Sequence, residues 1–450
     1  MIGVLLLAAG AVGAMPAAKL QIPPLAFTER VLANGLRVVA AEDHSSPTVS
    51  VQVWYDVGSK DDPDGRSGFA HLFEHLMFKG SRYLRAEQFD RLTEDVGGAN
   101  NAGTGDDSTM YENVVPSNHL ERLLWAEAER MANLNVDDAN FRSERAVVEE
   151  EYRQRVLADP YGRLQNAIDA RSYAVHPYRR PGIGNIDELE AASLEDVRAF
   201  HRTFYRPDNA VLIVAGDFDP KELDAWVDRY FAPIERPATA IPRVTVVEPA
   251  RVRDARYTER GPNVPLPAVA LTWLAPSARS PDAAALKMVA ALLGNGESSR
   301  LNQALVYRGQ IAQDVSFSAD LRVDKGLLVA LAVAASGTSL ATLERALLAE
   351  IDLLATKPVP GAELAKVRTQ LLTQALLGRE TPLGKAEALG EAILVGGDAQ
   401  RVNRELDELQ AVTPADMQRV VRTYLTGANR VTIEYLQEKP AAKAAPGGTQ

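Results

Sequence analysis

Apolar and polar residues alternate from Val49 to Trp54 (Val-Ser-Val-Gln-Val-Trp), the period of a strand. A polar loop with Pro63 and Gly65 follows, and then a helical pattern from about Ser67 to Phe78. The same order returns later in the chain. Ala268–Trp273 reads as a strand, Pro276, Ser277 and Pro281 interrupt it, and a helix runs on through Leu293. The two stretches also finish alike. Ser193 opens a helix reaching Phe204 and Tyr205, and Asn209–Ala215 then reads as a strand. Thr413 opens a helix reaching Tyr424, and Asn429–Tyr435 reads as a strand. Ser193 and Thr413 are both good N-caps, each with an Asp three residues on.

The spacing is constant. Trp54 and Trp273 stand 219 positions apart, and Ser193 and Thr413 stand 220 apart. Two matched pairs of elements at one offset predict a duplicated domain. The first copy is expected over 25–235 and the second over 264–437. The segment 236–263 reads as an exposed linker, because Pro237, Pro242, Pro249 and Pro262 punctuate it among charged residues. Each copy mixes strands with helices longer than a plain βαβ unit, so the fold class is α+β.

Composition narrows the chemistry. A hydrophobic fraction of 46% fills real cores, and the formal net charge of −11 argues against nucleic acid or an anionic membrane as partner. The chain has no cysteine, which excludes disulfides, thiolate nucleophiles and thiolate metal sites. A transition metal would have to sit on His, Asp or Glu, and there are six His to inspect. Residues 1–18 read as a secretion signal, with an apolar run from Val4 to Ala14 followed by small residues, although no basic residue precedes the run. The run is too short for a membrane span. An exported, periplasmic protein is expected, and the alternative is a cytoplasmic one with an apolar terminus. Residues 438–450 form a low-complexity tail expected to be disordered.

Within the first copy's helix lies His71-Leu-Phe-Glu74-His75. Positions i and i+4 share a helix face and i+3 lies beside them, so both imidazoles reach one point with a carboxylate next to it. Zinc takes two neutral His nitrogens, a third protein ligand and an open position for water, and Glu74 would then act as general base on that water. The plain alternative is a solvated helix face. The flanking Phe69, Ala70, Leu72, Phe73, Leu76 and Met77 argue for burial instead, where unpaired His and Glu are costly and a metal resolves the cost. The third ligand should be a carboxylate. On the helical pattern from about Asp138 to Ala158, Glu144 and Glu151 lie two turns apart on one face, with Val147 and Val148 between them and Glu149 and Glu150 directed away. This spacing does not choose between Glu144 and Glu151. His44, His119, His176 and His201 lack ligand-like spacing, and surface or loop roles are expected for most of them.

His71-Leu-Phe-Glu74-His75-Leu-Met-Phe-Lys-Gly80 resembles the inverzincin signature of the pitrilysin-type, or M16, zinc metallopeptidases. The likeness runs from Leu36 to Tyr435 and includes the duplication. It implies two homologous α+β domains forming half of a clam-shell chamber. It also implies an endopeptidase holding one zinc per chain and cutting peptides or unfolded segments. The family's downstream motif places the third zinc ligand at Glu151 and a supporting Glu at Glu144. The stretch around Asn101 and Ala102 resembles the edge strand onto which substrate adds as a further strand. At the duplication offset the motif falls on Ala290, Leu293 and Gly294, so the second copy lacks it. Val306 and Gln313 stand where relatives carry a substrate-contacting Arg and Tyr. The resemblance therefore implies a heterodimer with a homologous subunit that supplies those residues, the alternative being a homodimer. A non-catalytic assembly subunit of the same family is the second functional reading.

Overall fold

A computed structural model describes residues 20–438. The segment 1–18 read as a signal and the tail beyond 438 lie outside them. Among the described residues, no helix is long and apolar enough to cross a membrane.

Two sheets organise the molecule. The first contains β1 (Thr28–Val31), β2 (Arg37–Glu42), β3 (Thr48–Tyr55), β4 (Ala99–Thr104), β5 (Thr109–Pro116) and β6 (Ala210–Gly216), in the order β1-β2-β6-β3-β5-β4. The second contains β7 (Ala255–Gly261), β8 (Ala268–Leu274), β9 (Ala312–Asp320), β10 (Leu327–Ala334) and β11 (Val431–Gln437), in the order β7-β11-β8-β10-β9. Without β1 the two orders are the same, strand for strand. Each sheet also has one parallel pair in the same place, β2 with β6 and β7 with β11. The α+β class and the duplication are thus visible in the topology. β7 lies within the segment read as linker, and it pairs into the second sheet.

The local signals form where the chain pattern puts them. Ser193 and Thr413 each close a capping box, with Asp196 and Asp416 as the returning acids. The Trp54 and Trp273 strands are central in their sheets and buried on both faces.

The covers of the two sheets are exchanged. The helix Pro382–Leu394 of the second copy packs on β3 and β6 of the first sheet, with Ala386, Leu389 and Ile393 against Val39, Trp54, Val211 and Ile213. The helix Gly162–Ser172 of the first copy packs on β7, β8 and β11, with Leu164 and Ile168 against Ala268, Ala270 and Ile433. Contact is close. A side chain at Gly390 would meet the Trp54 indole at 2.2 Å, so only glycine lets this helix approach the strand. Gln52 Nε2 donates to the Leu383 carbonyl at 3.1 Å, which satisfies a buried amide across the same junction.

Candidate metal centre

The helix Phe69–Leu76 carries both imidazoles. Its apolar side (Phe69, Phe73, Leu76) enters the first core, and His71 is buried with it. The helix start is held from behind by Asp62, which accepts from the Gly68 N–H at 2.6 Å and the Ala70 N–H at 2.9 Å. Burial pushes the Asp62 carboxyl up to about 7, against the pull of those two donors. Gly68 has φ +98°, and its Cα faces Gly184, where a Cβ would come within 2.8 Å. The turn needs glycine for both reasons. Tyr111 adds a further anchor, its hydroxyl donating to the Phe73 carbonyl at 3.2 Å.

The second carrier is the helix Asp138–Tyr152, packed against the first. Glu151 Oε2 lies 3.3 Å from His71 Nε2 and 3.6 Å from His75 Nε2. It is buried and has no hydrogen-bond partner. Its other oxygen is held by Arg155 at 2.7 Å. Glu144 lies deeper, with Oε2 3.8 Å from His75 Nδ1 and Oε1 2.9 Å from Lys79. Burial opposes its ionisation, yet the nearby His75 ring and the Lys79 ammonium prevail and hold it below the usual carboxylate range. Glu74 Oε2 accepts from the Thr104 hydroxyl at 2.6 Å, and burial raises the Glu74 pKa. Burial, His75 and Arg155 together bring His71 down to about 4, which keeps it neutral at physiological pH. For His75, burial works the other way, but Glu144 and the neighbouring carboxylates outweigh it and raise the pKa.

These groups fit a small cation. Imidazole nitrogens 3.3 and 3.6 Å from a carboxylate oxygen make no good hydrogen bond, and that oxygen is left unsatisfied. Tetrahedral zinc with bonds near 2.0–2.1 Å has ligand-to-ligand edges of about 3.3–3.4 Å, close to the spacing seen here. Two carboxylates compete for the third place, since the donor atoms of His71, Glu74 and His75 also lie within 4.8 Å of one another. Glu151 is the better donor. Its unpartnered oxygen faces both imidazole nitrogens, at 3.3 and 3.6 Å.

Some expectations are corrected. Val148 is buried between the two glutamates, but Val147 is 46% exposed and lies off their shared face. His176 is 1% exposed and sits at the junction of the halves, 3.3 Å from Asp324. The His201 ring stacks on Phe73 behind the motif helix, and burial lowers its pKa to about 4. Asn101 is exposed on β4 and Ala102 packs toward the first core. β4 is the outermost strand of its sheet, with β5 as its only strand neighbour among the described residues. In the second copy, Ala290 and Leu293 are buried apolar positions, and a side chain at Gly294 would strike the Phe317 backbone. Asp62 and Arg155 carry no sequence signal of the motif's kind, and Thr104 belongs to the stretch read as an edge strand, with nothing there to tie it to Glu74. Arg155 lies one turn after Glu151, an i, i+4 acid–base pair that could have marked it.

The family described as "Insulinase (Peptidase family M16)" matches residues 37–184, and "Peptidase M16 inactive domain" matches 191–371. The zinc protease PqqE of Helicobacter pylori is 29% identical over 405 residues, covering 89% of this chain and 91% of that one. A Mycobacterium leprae protein named as an uncharacterized zinc protease is 30% identical over 393 residues, 85% of each chain. The crystal structure of a protease from Helicobacter pylori superposes with a TM-score of 0.88 at 28% identity, over 92% of this chain and 100% of that one. Both copies of the duplicated fold are matched in order, and the chain belongs to the M16 peptidase family.

Proposed function

We propose that this chain is a zinc-dependent endopeptidase that holds one zinc through His71, His75 and Glu151. The observation that carries the reading is the buried, unpartnered Glu151 oxygen facing both imidazole nitrogens. The chain's relatives are named zinc proteases, which supports the choice of metal. Zinc, when bound, supplies Lewis-acid polarisation of a carbonyl and makes a water easier to deprotonate. Glu74 is the general base that takes the water's proton and returns it to the leaving amine, on the same helix face as the imidazoles. Glu144 faces the far nitrogen of His75 at 3.8 Å and orients the ring by its charge, the place taken by second partners of metal-bound His. The open side of β4, at Asn101 and Ala102, takes the substrate backbone as an added strand.

We further propose that the chain works as the zinc-carrying member of a pair of homologous subunits and is exported to the periplasm. Val306 packs against the second core and Gln313 is exposed, so neither offers the Arg or Tyr chemistry of relatives that act alone. Tyr307 and Arg308, which would stand in for the Tyr and Arg if the alignment with those relatives slipped by a few positions, are exposed.

The test is Glu74→Gln. Elemental analysis should find zinc retained, and a peptide-cleavage assay should find hydrolysis lost. Zinc-free wild type under every loading condition would overturn the reading, as would strong residual cleavage by the variant.

A further inference from the structure

The turn Gly105–Ser108 joins β4 to β5 and is closed by the Gly105 N–H to the Ser108 carbonyl at 2.9 Å. Two acids at its tip are gripped from both halves of the molecule. Asp106 accepts from Ser59 Oγ at 2.8 Å and faces Arg322 Nε at 3.2 Å. Asp107 accepts from Lys60 at 2.7 Å and from the Tyr178 hydroxyl at 2.5 Å, and its second oxygen takes the Val323 N–H at 2.9 Å. Arg322 is itself buried, pairs with Asp169 and Asp320, and lies over the Tyr178 ring. Arg322 and Val323 belong to the β9–β10 loop of the copy that lacks the metal motif. Thr104, the residue just before the turn, donates to Glu74.

We propose that Thr104 is a positioning residue for Glu74, and that the β9–β10 loop holds Thr104 in place through Arg322 and Asp106. The second half thereby reaches the base through one turn of chain. The proposal rests on Glu74 being the base. β4 is an edge strand with one neighbour, so the position of its end depends on the grip at the turn. Thr is stiff at χ1, and its hydroxyl fixes the carboxylate oxygen that it contacts. The other Glu74 oxygen is left to receive a proton.

The test compares wild type, Thr104→Val, Thr104→Ser, Asp106→Asn and the Thr104→Val/Asp106→Asn double variant, in the assembly in which wild type cleaves peptide. Arg322 keeps Asp169 and Asp320 as partners in Asp106→Asn, so that variant should fold. Thr104→Val should lower kcat on the order of tenfold with KM and zinc content unchanged. Thr104→Ser should restore kcat. Asp106→Asn should lower kcat in the same direction, and the double variant should fall no further than Thr104→Val, as expected of residues acting in series. In zinc-free protein, Asp106→Asn should also speed amide exchange across 99–108. A wild type without zinc or hydrolysis overturns the functional reading and this proposal with it. An active wild type with an equally active Thr104→Val overturns the proposal alone, as do independent effects in the double variant or unchanged exchange.

Discussion

Asp62 shows how much one side chain outside the motif can carry. It caps the motif helix with two backbone hydrogen bonds while fully enclosed. Asp62→Ala strands two buried N–H groups and should cost about 2–4 kcal/mol in urea unfolding, at roughly 1–3 per group with partial relaxation. Asp62→Asn keeps an acceptor and should cost less. It should also change the pH profile of the zinc-free protein. Because burial raises the folded-state pKa from 3.8 to about 7, the folded protein keeps this proton where the unfolded chain has lost it. Stability from this group therefore falls as pH rises from about 4 to about 7, and Asp62→Asn should flatten that fall. Equal profiles for the two proteins would refute the assignment. The glutamates give a second expectation. Glu151→Gln should abolish tight zinc binding, while Glu144→Gln should weaken it by roughly 10–100-fold, measured by chelator competition.

The same scale shows what a sequence can and cannot reveal about a site. His71, Glu74 and His75 were legible because helix geometry alone brings i, i+3 and i+4 together. Helical spacing left Glu144 and Glu151 equivalent. What separates them is depth, since Glu144 is walled in by Lys79 and His75 whereas a Glu151 oxygen opens toward both rings. Asp62 and Thr104 reach the motif helix from a loop and from another strand, and contacts of that kind leave no periodic trace.

Among the elements, β3 is the instructive case. Its residues alternate between Val and the set Ser50, Gln52 and Trp54, and both faces are buried. The cover of the second set is the helix Pro382–Leu394, more than three hundred residues away in sequence, and nothing in the strand announces it. Leu389 is fully buried in that junction. Leu389→Ala should cost about 2–5 kcal/mol, seen as a lower urea midpoint at unchanged slope. A cost below 1 kcal/mol would mean that the helix is not a true cover of the sheet.

For the whole molecule, the strand orders of the two sheets bear out the duplication read from the 219-residue offset. Division of labour between subunits makes a plain expectation. Purified chain alone should cleave peptide slowly, and a homologous subunit carrying the Arg and Tyr should raise the rate strongly. Full activity from this chain alone, unchanged on mixing, would rule out the pairing. Zinc should also stabilise the fold by mass action, about 2.7 kcal/mol at a hundred times its Kd, and a chelator titration followed by thermal unfolding measures this.

The exchanged helices have an implication for the history of the chain and for its dissection. Two copies of one fold that each lend a helix to the other have the arrangement of a domain-swapped homodimer, here written as a single polypeptide. Each copy packs a core of its own on one face of its sheet, but the other face is covered by a helix of the other copy. A fragment ending near residue 235 would lack the cover of β3 and β6, and a fragment starting near 255 would lack the cover of β8 and β11. Each alone should aggregate. Produced together, the two pieces should find one another and restore the native particle, as halves of a swapped dimer do when their tether is cut.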